Sequence, residues 1–174
     1  SEANETAVKI AIQYQAARGK PAKRKILTRS LSYHGTTISM AAMSGHANRK
    51  KGLENFLEKY PTTETPYPLR CPIGRHHPEA TDYYISNLKK VIKKTGPENI
   101  AALIAEPIIG SSGGAITPPL NYWEEAQEIL KKNDILLIAD EVMTGFGRIG
   151  EKFACNLYDI KADILVAGKG MAGG

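Results

Sequence analysis

The stretch Ile135–Arg148, "ILLIADEVMTGFGR", begins as an uncharged apolar run and then places two acids, Asp140 and Glu141, directly after it. A short apolar run bounded by polar residues has the length and composition of a strand buried on both faces of a sheet. Strands that finish in an ionisable residue are common in α/β enzymes, because the strand fixes the position of the residue and the rim of the sheet admits a substrate.

Strands and helices are predicted to alternate along the rest of the chain. Apolar runs predict strands at residues 25–30, 100–107, 135–139 and 163–168. Helical periodicity predicts helices at residues 1–20, 79–96 and 121–134, and in the segment 32–45 after a turn at Gly35. Residues 45–78 carry repeated prolines and are predicted to be a long irregular excursion. This alternation predicts an α/β fold with a mostly parallel sheet and helices on both of its faces.

Length and composition predict one compact globular unit. The chain has 174 residues, of which 42% are hydrophobic and 24% are charged, which is close to globular averages and too short for two comfortable domains. No apolar run approaches the roughly 20 residues that span a bilayer, and the first residues show no signal-peptide pattern. We therefore expect a cytoplasmic protein with no membrane partner.

The lysines and cysteines argue against nucleic-acid and metal ligands. The net charge is +5, but the lysines of residues 19–25 and 87–94 are predicted to lie in a solvated turn and on the polar face of a helix, without interleaved aromatics. Cys71 and Cys155 show neither CxxC spacing nor a histidine cluster, which favours two free thiols. We expect no nucleic-acid partner and no metal site.

Ionisable residues gather at the predicted strand ends. Parallel strands deliver their carboxyl ends to the same edge of the sheet, where ligands bind. Glu106 and Asp140 end two strands, Lys169 follows the last one, and Ser1 begins a helix that could join them. Taken singly, Asp140 could be a turn cap and Glu106 a salt-bridge partner. Together the residues predict a rim that holds two acids and an amine.

Glycines flank this amine and also suggest two other motifs. An amine between Gly168 and Gly170 is expected to lie close to the backbone and partly desolvated, which would lower the pKa of Lys169 and favour the nucleophilic form. Residues 168–173 formally match the GxGxxG dinucleotide fingerprint, but a lysine between the first two glycines would crowd a pyrophosphate turn. Residues 110–114, "GSSGG", lack the GK[ST] of a phosphate loop and are interpreted as structural.

Five motifs in order carry a resemblance to a known family: "SEANE", "SYHG", "AEPIIGSSGG", "LLIADEVMTGFGRIG" and "GKG". The chain resembles the class III pyridoxal-phosphate-dependent aminotransferases, of the aspartate aminotransferase fold (fold type I), from Ser1 to Gly174. The resemblance implies that residues 1–174 are the central part of the cofactor-binding large domain, with an N-terminal segment and a C-terminal small domain absent. It also implies a homodimer for the full-length protein.

The resemblance implies a role for each site residue. Lys169 matches the lysine that forms an aldimine with pyridoxal 5′-phosphate and moves a proton, and Asp140 matches the acid that pairs with the pyridine nitrogen. Val142 and Tyr33 match the residues on the two faces of the cofactor ring, with His34 beside Tyr33.

Two further residues complete the site that the resemblance implies. Ser1 matches the serine of the phosphate cup, at the start of a helix. Glu106 matches the glutamate of the family's "EP" motif, expected to be a hydrogen-bonding partner in the site. Glu141 is interpreted as structural.

Departures from the family pattern bear on the substrate. Ser111 stands where many members that use glutamate and 2-oxoglutarate have a second glutamate, and Met143 stands where a glutamine often follows "DEV". Both favour transfer from an ω-amino acid or amine to pyruvate, or a diaminopelargonate-type reaction, with a small-molecule amino donor and an oxo-acid acceptor as partners. A glutamate/2-oxoglutarate enzyme of acetylornithine, ornithine or GABA type, and a non-catalytic α/β binding module, remain the alternatives.

Overall fold

The computed structural model describes residues 1–173, and its strands form one parallel sheet. The order across the sheet is β2-β1-β3-β4-β5, and each neighbouring pair is parallel. The bounds of the strands are β1 Lys25–Arg29, β2 Thr62–Thr63, β3 Ile100–Ala105, β4 Leu136–Asp140 and β5 Ile164–Val166. The predicted α/β fold is confirmed, and β4 lies one residue further along the chain than expected.

The helices agree with the predicted pattern and include one that was not predicted. Their bounds are α1 Glu2–Ala17, α2 Ile38–Met43, α3 Ala80–Thr95, α4 Tyr122–Lys132 and α5 Ala154–Leu157, with short 3₁₀ turns between them. The short α5 was missed because four residues show no periodicity. No helix within residues 1–173 combines the length and the apolar character needed to cross a membrane.

Helices cover both faces of the sheet, as predicted. On one face Leu103 and Leu137 pack with side chains of α3 and α4. On the other face Ile104 and Ile138 pack with side chains of α1 and α2. Because consecutive residues of a strand point to opposite faces, the continuous apolar runs of β3 and β4 supply both cores.

The register of the strands places the predicted site residues at one edge. Ala105 of β3 lies opposite Ala139 of β4, so Glu106 and Asp140 leave neighbouring strands at the same level. Asp140 in turn lies opposite Val166, the last residue of β5.

The proline-rich excursion contains the edge strand β2, which corrects the expectation that residues 45–78 are wholly irregular. The amide of Thr28 donates to the carbonyl of Pro61 at 3.0 Å, and the amide of Ser30 donates to that of Thr63 at 3.0 Å. The strand has two residues, too few for a periodic signal, and its position depends on pairing with β1.

Lys23 is buried, which corrects the prediction that the lysines of residues 19–25 are all solvated. The residue is 5% exposed. The ammonium donates to the carbonyls of Pro97 and Asp134 at 2.9 Å, Asn133 at 3.1 Å and Ile100 at 3.2 Å. Burial lowers the pKa of Lys23, and the carbonyls compensate the lost hydration. The residue therefore ties together three chain segments at the amino-terminal edge of the sheet.

We expect Leu88→Ala to lower the free energy of unfolding by about 2–5 kcal/mol, because it leaves a cavity between α3 and α4. Leu88 is 0% exposed. Leu120→Ala is the matched control, since Leu120 is 84% exposed, and its effect should stay within about 0.5 kcal/mol. Urea unfolding of both variants measures the difference. Equal losses would contradict the assignment of this core.

Candidate active site

Asp140 lies at the centre of a buried polar cluster at the carboxyl edge of the sheet. The residue is 3% exposed. Its Oδ2 accepts hydrogen bonds from Nδ1 of His34 and from Nδ2 of Asn4, both at 2.8 Å. Its Oδ1 accepts one from the amide of Val142 at 3.1 Å. These three donors make burial of the carboxylate tolerable.

His34 contacts Asp140 directly. The resemblance implied only that His34 lies beside Tyr33. An ionised carboxylate only accepts hydrogen bonds, so Nδ1 of His34 carries the shared proton. The amide of His34 donates to Oγ of Ser44 at 2.9 Å. The other ring nitrogen, Nε2, is buried and has no hydrogen-bond partner among residues 1–173.

Asn4 belongs to the site and was missed by the sequence reasoning. Its Nδ2 donates to the carbonyl of His34 at 2.8 Å as well as to Asp140. A signal was present: Asn4 shares the buried face of α1 with Ala7, Val8 and Ala11. A polar residue on the apolar stripe of a helix needs a partner in the interior.

The first turn of α1 is tied to the segment 34–37. Ser1 occupies the N-cap position of α1 without capping its own helix, and its Oγ accepts from the amide of Thr36 at 2.9 Å. Gly35 has φ +144°, and a Cβ there would lie 2.5 Å from Oγ of Ser1. Only glycine permits this backbone conformation and this close approach. The start of α1 is therefore held against the segment 34–37 by the hydroxyl of Ser1.

Glu106 joins two loops at the rim. The residue is 3% exposed. Its carboxyl accepts from the amide of Tyr33 through Oε1 and from the amide of Gly110 through Oε2, both at 2.9 Å. Burial raises the pKa of Glu106 above the ordinary value, and the Gly110 amide opposes that shift. The predicted hydrogen-bonding partner thus holds Tyr33 and the glycine-rich loop in place.

Arg29 lies beneath this rim and was also missed. It is 1% exposed, and its Nη1 donates to the carbonyl of Glu106 at 3.0 Å. The guanidinium stands 4.6 Å from the ring centroid of Trp123 and 5.3 Å from that of Tyr122. Aromatic faces favour a cation of this kind when it is desolvated. Arg29 therefore stabilises the turn that carries Glu106.

Tyr33 is half-buried and has a cation over one face of its ring. The guanidinium of the exposed Arg49 stands 4.4 Å from the ring centroid. Arg49 lies in the proline-rich segment 45–78, where no local pattern indicated a contact with Tyr33.

Lys169 is exposed, so the expectation of a desolvated amine is wrong for this chain. The residue has φ +48° and begins a 3₁₀ turn, Lys169–Ala172, whose side chains are all exposed. The physical reason is that the flanking glycines supply no side-chain atoms to cover the lysine. Val142 does lie beside this turn, since a Cβ on Gly168 would be 3.4 Å from its Cγ1.

Glu141 serves the local structure, as interpreted from the sequence. It is 0% exposed and accepts from the amides of Ala154 at 2.9 Å and Cys155 at 2.6 Å, and from the hydroxyl of Thr144. The carboxylate of Glu141 therefore links the turn after β4 to the start of α5.

Cys71 and Cys155 are both buried free thiols, and burial raises the pKa of Cys155.

A cavity of about 780 Å³ lies elsewhere on the molecule. It is lined by residues 67–69, 76–78, 80–82 and 114–121 and by Glu125. None of the predicted site residues borders it, and its lining lacks the buried polar side chains that distinguish the Asp140 cluster.

The fold is of the parallel α/β type, in which ligands bind at the carboxyl ends of the strands, and the Asp140 cluster lies at that edge. The chain belongs to the class III aminotransferase family, since residues 1–174 match the family described as "Aminotransferase class-III". The family that the sequence resembled is therefore confirmed.

Named relatives and solved structures agree with this family. The chain is 43% identical to a gamma aminobutyrate transaminase 3, chloroplastic, of Solanum lycopersicum, covering 100% of this chain and 34% of the relative. It is 42% identical to a gamma-aminobutyrate transaminase 1, mitochondrial, of Oryza sativa subsp. indica, covering 99% and 33%. The omega transaminase from Pseudomonas jessenii in complex with PMP superposes with a TM-score of 0.91 at 40% identity, covering 97% and 37%.

The chain thus spans about a third of the length of the relatives that it matches. A homodimer stays a prediction. A cytoplasmic location also stays a prediction, because these relatives carry chloroplastic and mitochondrial names.

We expect the stability contributed by Glu106 to fall as pH rises. Burial raises its folded-state pKa above the ordinary 4.5, so the folded chain binds this proton more tightly than the unfolded chain between the two pKa values. Glu106→Gln does not titrate. The free energy of unfolding of wild type minus that of Glu106→Gln should therefore decrease as pH rises from 4.5.

Urea unfolding at a series of pH values up to neutral measures this slope. Glu128→Gln is the control, since Glu128 is exposed on α4 and should track wild type. A difference that grows with pH would contradict the predicted sign.

Proposed function

We propose that this chain holds pyridoxal 5′-phosphate at the carboxyl edge of its sheet and serves a transamination, moving an amino group from an amine or amino acid to an oxo acid. The observation that carries the proposal is the buried Asp140, placed by a rigid strand at the ligand-binding edge of a class III aminotransferase fold. A non-catalytic module of this fold has no evident use for a buried acid held by three donors.

The donor set around Asp140 fits the ring nitrogen of the cofactor. Oδ2 is engaged by Asn4 and His34, whereas Oδ1 accepts only the amide of Val142 among the described residues. A carboxylate oxygen can accept more than one hydrogen bond. Oδ1 therefore keeps capacity for the N–H of a protonated pyridine ring.

The start of α1 fits the phosphate group. Ser1 stands at the N-cap of a helix of sixteen residues, where backbone amides and the helix dipole favour an anion. Its hydroxyl already lies against the backbone of Gly35 and Thr36. Ser1 would therefore hold the phosphate together with the backbone amides at the start of α1.

Val142 and Tyr33 would enclose the two faces of the ring. Val142 follows Asp140 by two residues and is held by its own amide on Oδ1. The amide of Tyr33 is held by Glu106. Since Arg49 stands over one face of the Tyr33 ring, the opposite face is the one proposed to stack on the cofactor.

Pyridoxal phosphate supplies an aldehyde that bonds reversibly to amines and a ring that withdraws electrons from the adjoining carbon. Lys169 would hold the aldehyde through its Nζ and carry the proton at that atom during transfer. Asp140 would keep the proton on the ring nitrogen, and Glu106 would orient Tyr33.

For the substrate, we propose an ω-amino acid or amine donor with pyruvate as the acceptor. Ser111 is exposed and supplies no carboxylate for a gate. Met143 packs so closely on the glycine-rich loop that a Cβ on Gly110 would lie 2.7 Å from its Cγ. The name of the omega transaminase supports this branch, whereas the gamma-aminobutyrate transaminase names also fit the GABA-type alternative.

Borohydride reduction of the holoenzyme that contains residues 1–174 should fix the cofactor covalently to Lys169. Lys169→Ala should carry no label and should lose transamination. Lys152→Ala is the matched control, because Lys152 is also exposed, and it should label like wild type. Peptide mapping by mass spectrometry gives the position. A label on another lysine would refute the role of Lys169.

A screen of amino donors against pyruvate and 2-oxoglutarate tests the substrate. We expect ω-amino acids or amines to convert the cofactor to its amine form and pyruvate to restore it. Restoration by 2-oxoglutarate alone would favour the glutamate-type reaction. Failure of every donor would favour a non-catalytic module.

A further inference from the structure

Asn4 connects the two ends of the proposed cofactor site. The residue is 1% exposed and lies one turn after Ser1 on α1. One nitrogen, Nδ2, donates to the carbonyl of His34 and to Oδ2 of Asp140, both at 2.8 Å. Its two protons thus match one acceptor on the segment 34–37 and one on β4.

These two hydrogen bonds fix the orientation of the side-chain amide of Asn4. Its other atom, Oδ1, is buried and accepts no hydrogen bond from residues 1–173. A buried acceptor without a partner is costly. The two bonds from Nδ2 offset that cost and keep the side chain in this orientation. A carboxylate of the same size could not donate these bonds, and a leucine would leave both acceptors without that donor.

Helix α1 is a rigid mount for these contacts. Ala7 and Ala11 of α1 are buried and pack on the sheet. Ser1 and Glu5 of the same first turns bind Thr36 and Thr37. A displacement at the start of α1 would therefore move the donor that Asp140 receives.

We propose that Asn4 is a positioning residue: by holding Oδ2 of Asp140 it aims Oδ1 at the ring nitrogen, and it couples that contact to the phosphate end of the site. Asn4 acts through Asp140 and does not touch the ring. This inference rests on the proposed function, because it assumes that Asp140 pairs with the nitrogen of pyridoxal phosphate.

The test compares two ligands on the apo form of the complete enzyme that contains this chain. One is pyridoxal 5′-phosphate, and the other is its 1-deaza analogue, in which a C–H replaces the ring nitrogen. The ratio of their dissociation constants reports the contact between Asp140 and the nitrogen. We expect wild type to prefer pyridoxal phosphate and Asn4→Ala to reduce that preference by about tenfold, the effect of one hydrogen bond to a charged group.

Gln15→Ala is the matched control. Gln15 is a buried amide on the same helix, 0% exposed, and it donates to Ala101 and Asp134 far along α1 from the site. Both variants should lose thermal stability, but Gln15→Ala should keep the wild-type preference. Equal preferences in Asn4→Ala, Gln15→Ala and wild type would overturn the inference.

Asn4→Asp provides a second variant of the same size, should the alanine variant fail to fold. It sets an acceptor against Oδ2 of Asp140, and we expect it to lose the preference as well. If wild type itself does not distinguish the two ligands, the role of Asp140 fails and the proposed function with it. If wild type does distinguish them and neither Asn4 variant changes the ratio, only the positioning role fails.

Discussion

Burial of the Asp140 carboxylate is the constraint on which the site depends. The apolar strand β4 carries this group to the edge of the sheet, where it is 3% exposed, and a carboxylate in such surroundings must be supplied with donors. The donors come from α1, from the segment after β1 and from the turn that follows β4. Two distant parts of the chain, α1 and the segment after β1, are therefore held beside β4 by hydrogen bonds to one carboxylate.

The buried acids at the rim make different contacts. Asp140 and Glu141 are adjacent in sequence. Asp140 accepts hydrogen bonds from Asn4 of α1 and from His34, whereas Glu141 accepts them from the amides at the start of α5. Glu106 anchors Tyr33 and the glycine-rich loop, and Arg29 fixes the carbonyl of Glu106 from below. Each contact restricts a loop at the rim, which keeps the proposed cofactor-binding groups ordered.

Much of the fold could be predicted because it follows from local pattern. The apolar runs of β3 and β4 and the periodicity of α3 and α4 need no distant information. The two-residue strand β2 and the burial of Lys23 were not predicted, because both depend on contacts with segments far away in sequence. The exposure of Lys169 was judged wrongly, since flanking glycines indicate backbone freedom but not what covers a side chain.

By itself, the sequence determined the α/β class, the order of the motifs and hence the family, and the residues Asp140, Glu106 and Lys169 as candidates for the site. Only the tertiary structure decided which atoms meet: that Asn4 and His34 share Oδ2 of Asp140, and that Arg29 supports Glu106. The reason is physical. Periodicity reports which face of an element is buried, whereas a hydrogen bond between residues 136 positions apart exists only after the sheet has brought the elements together.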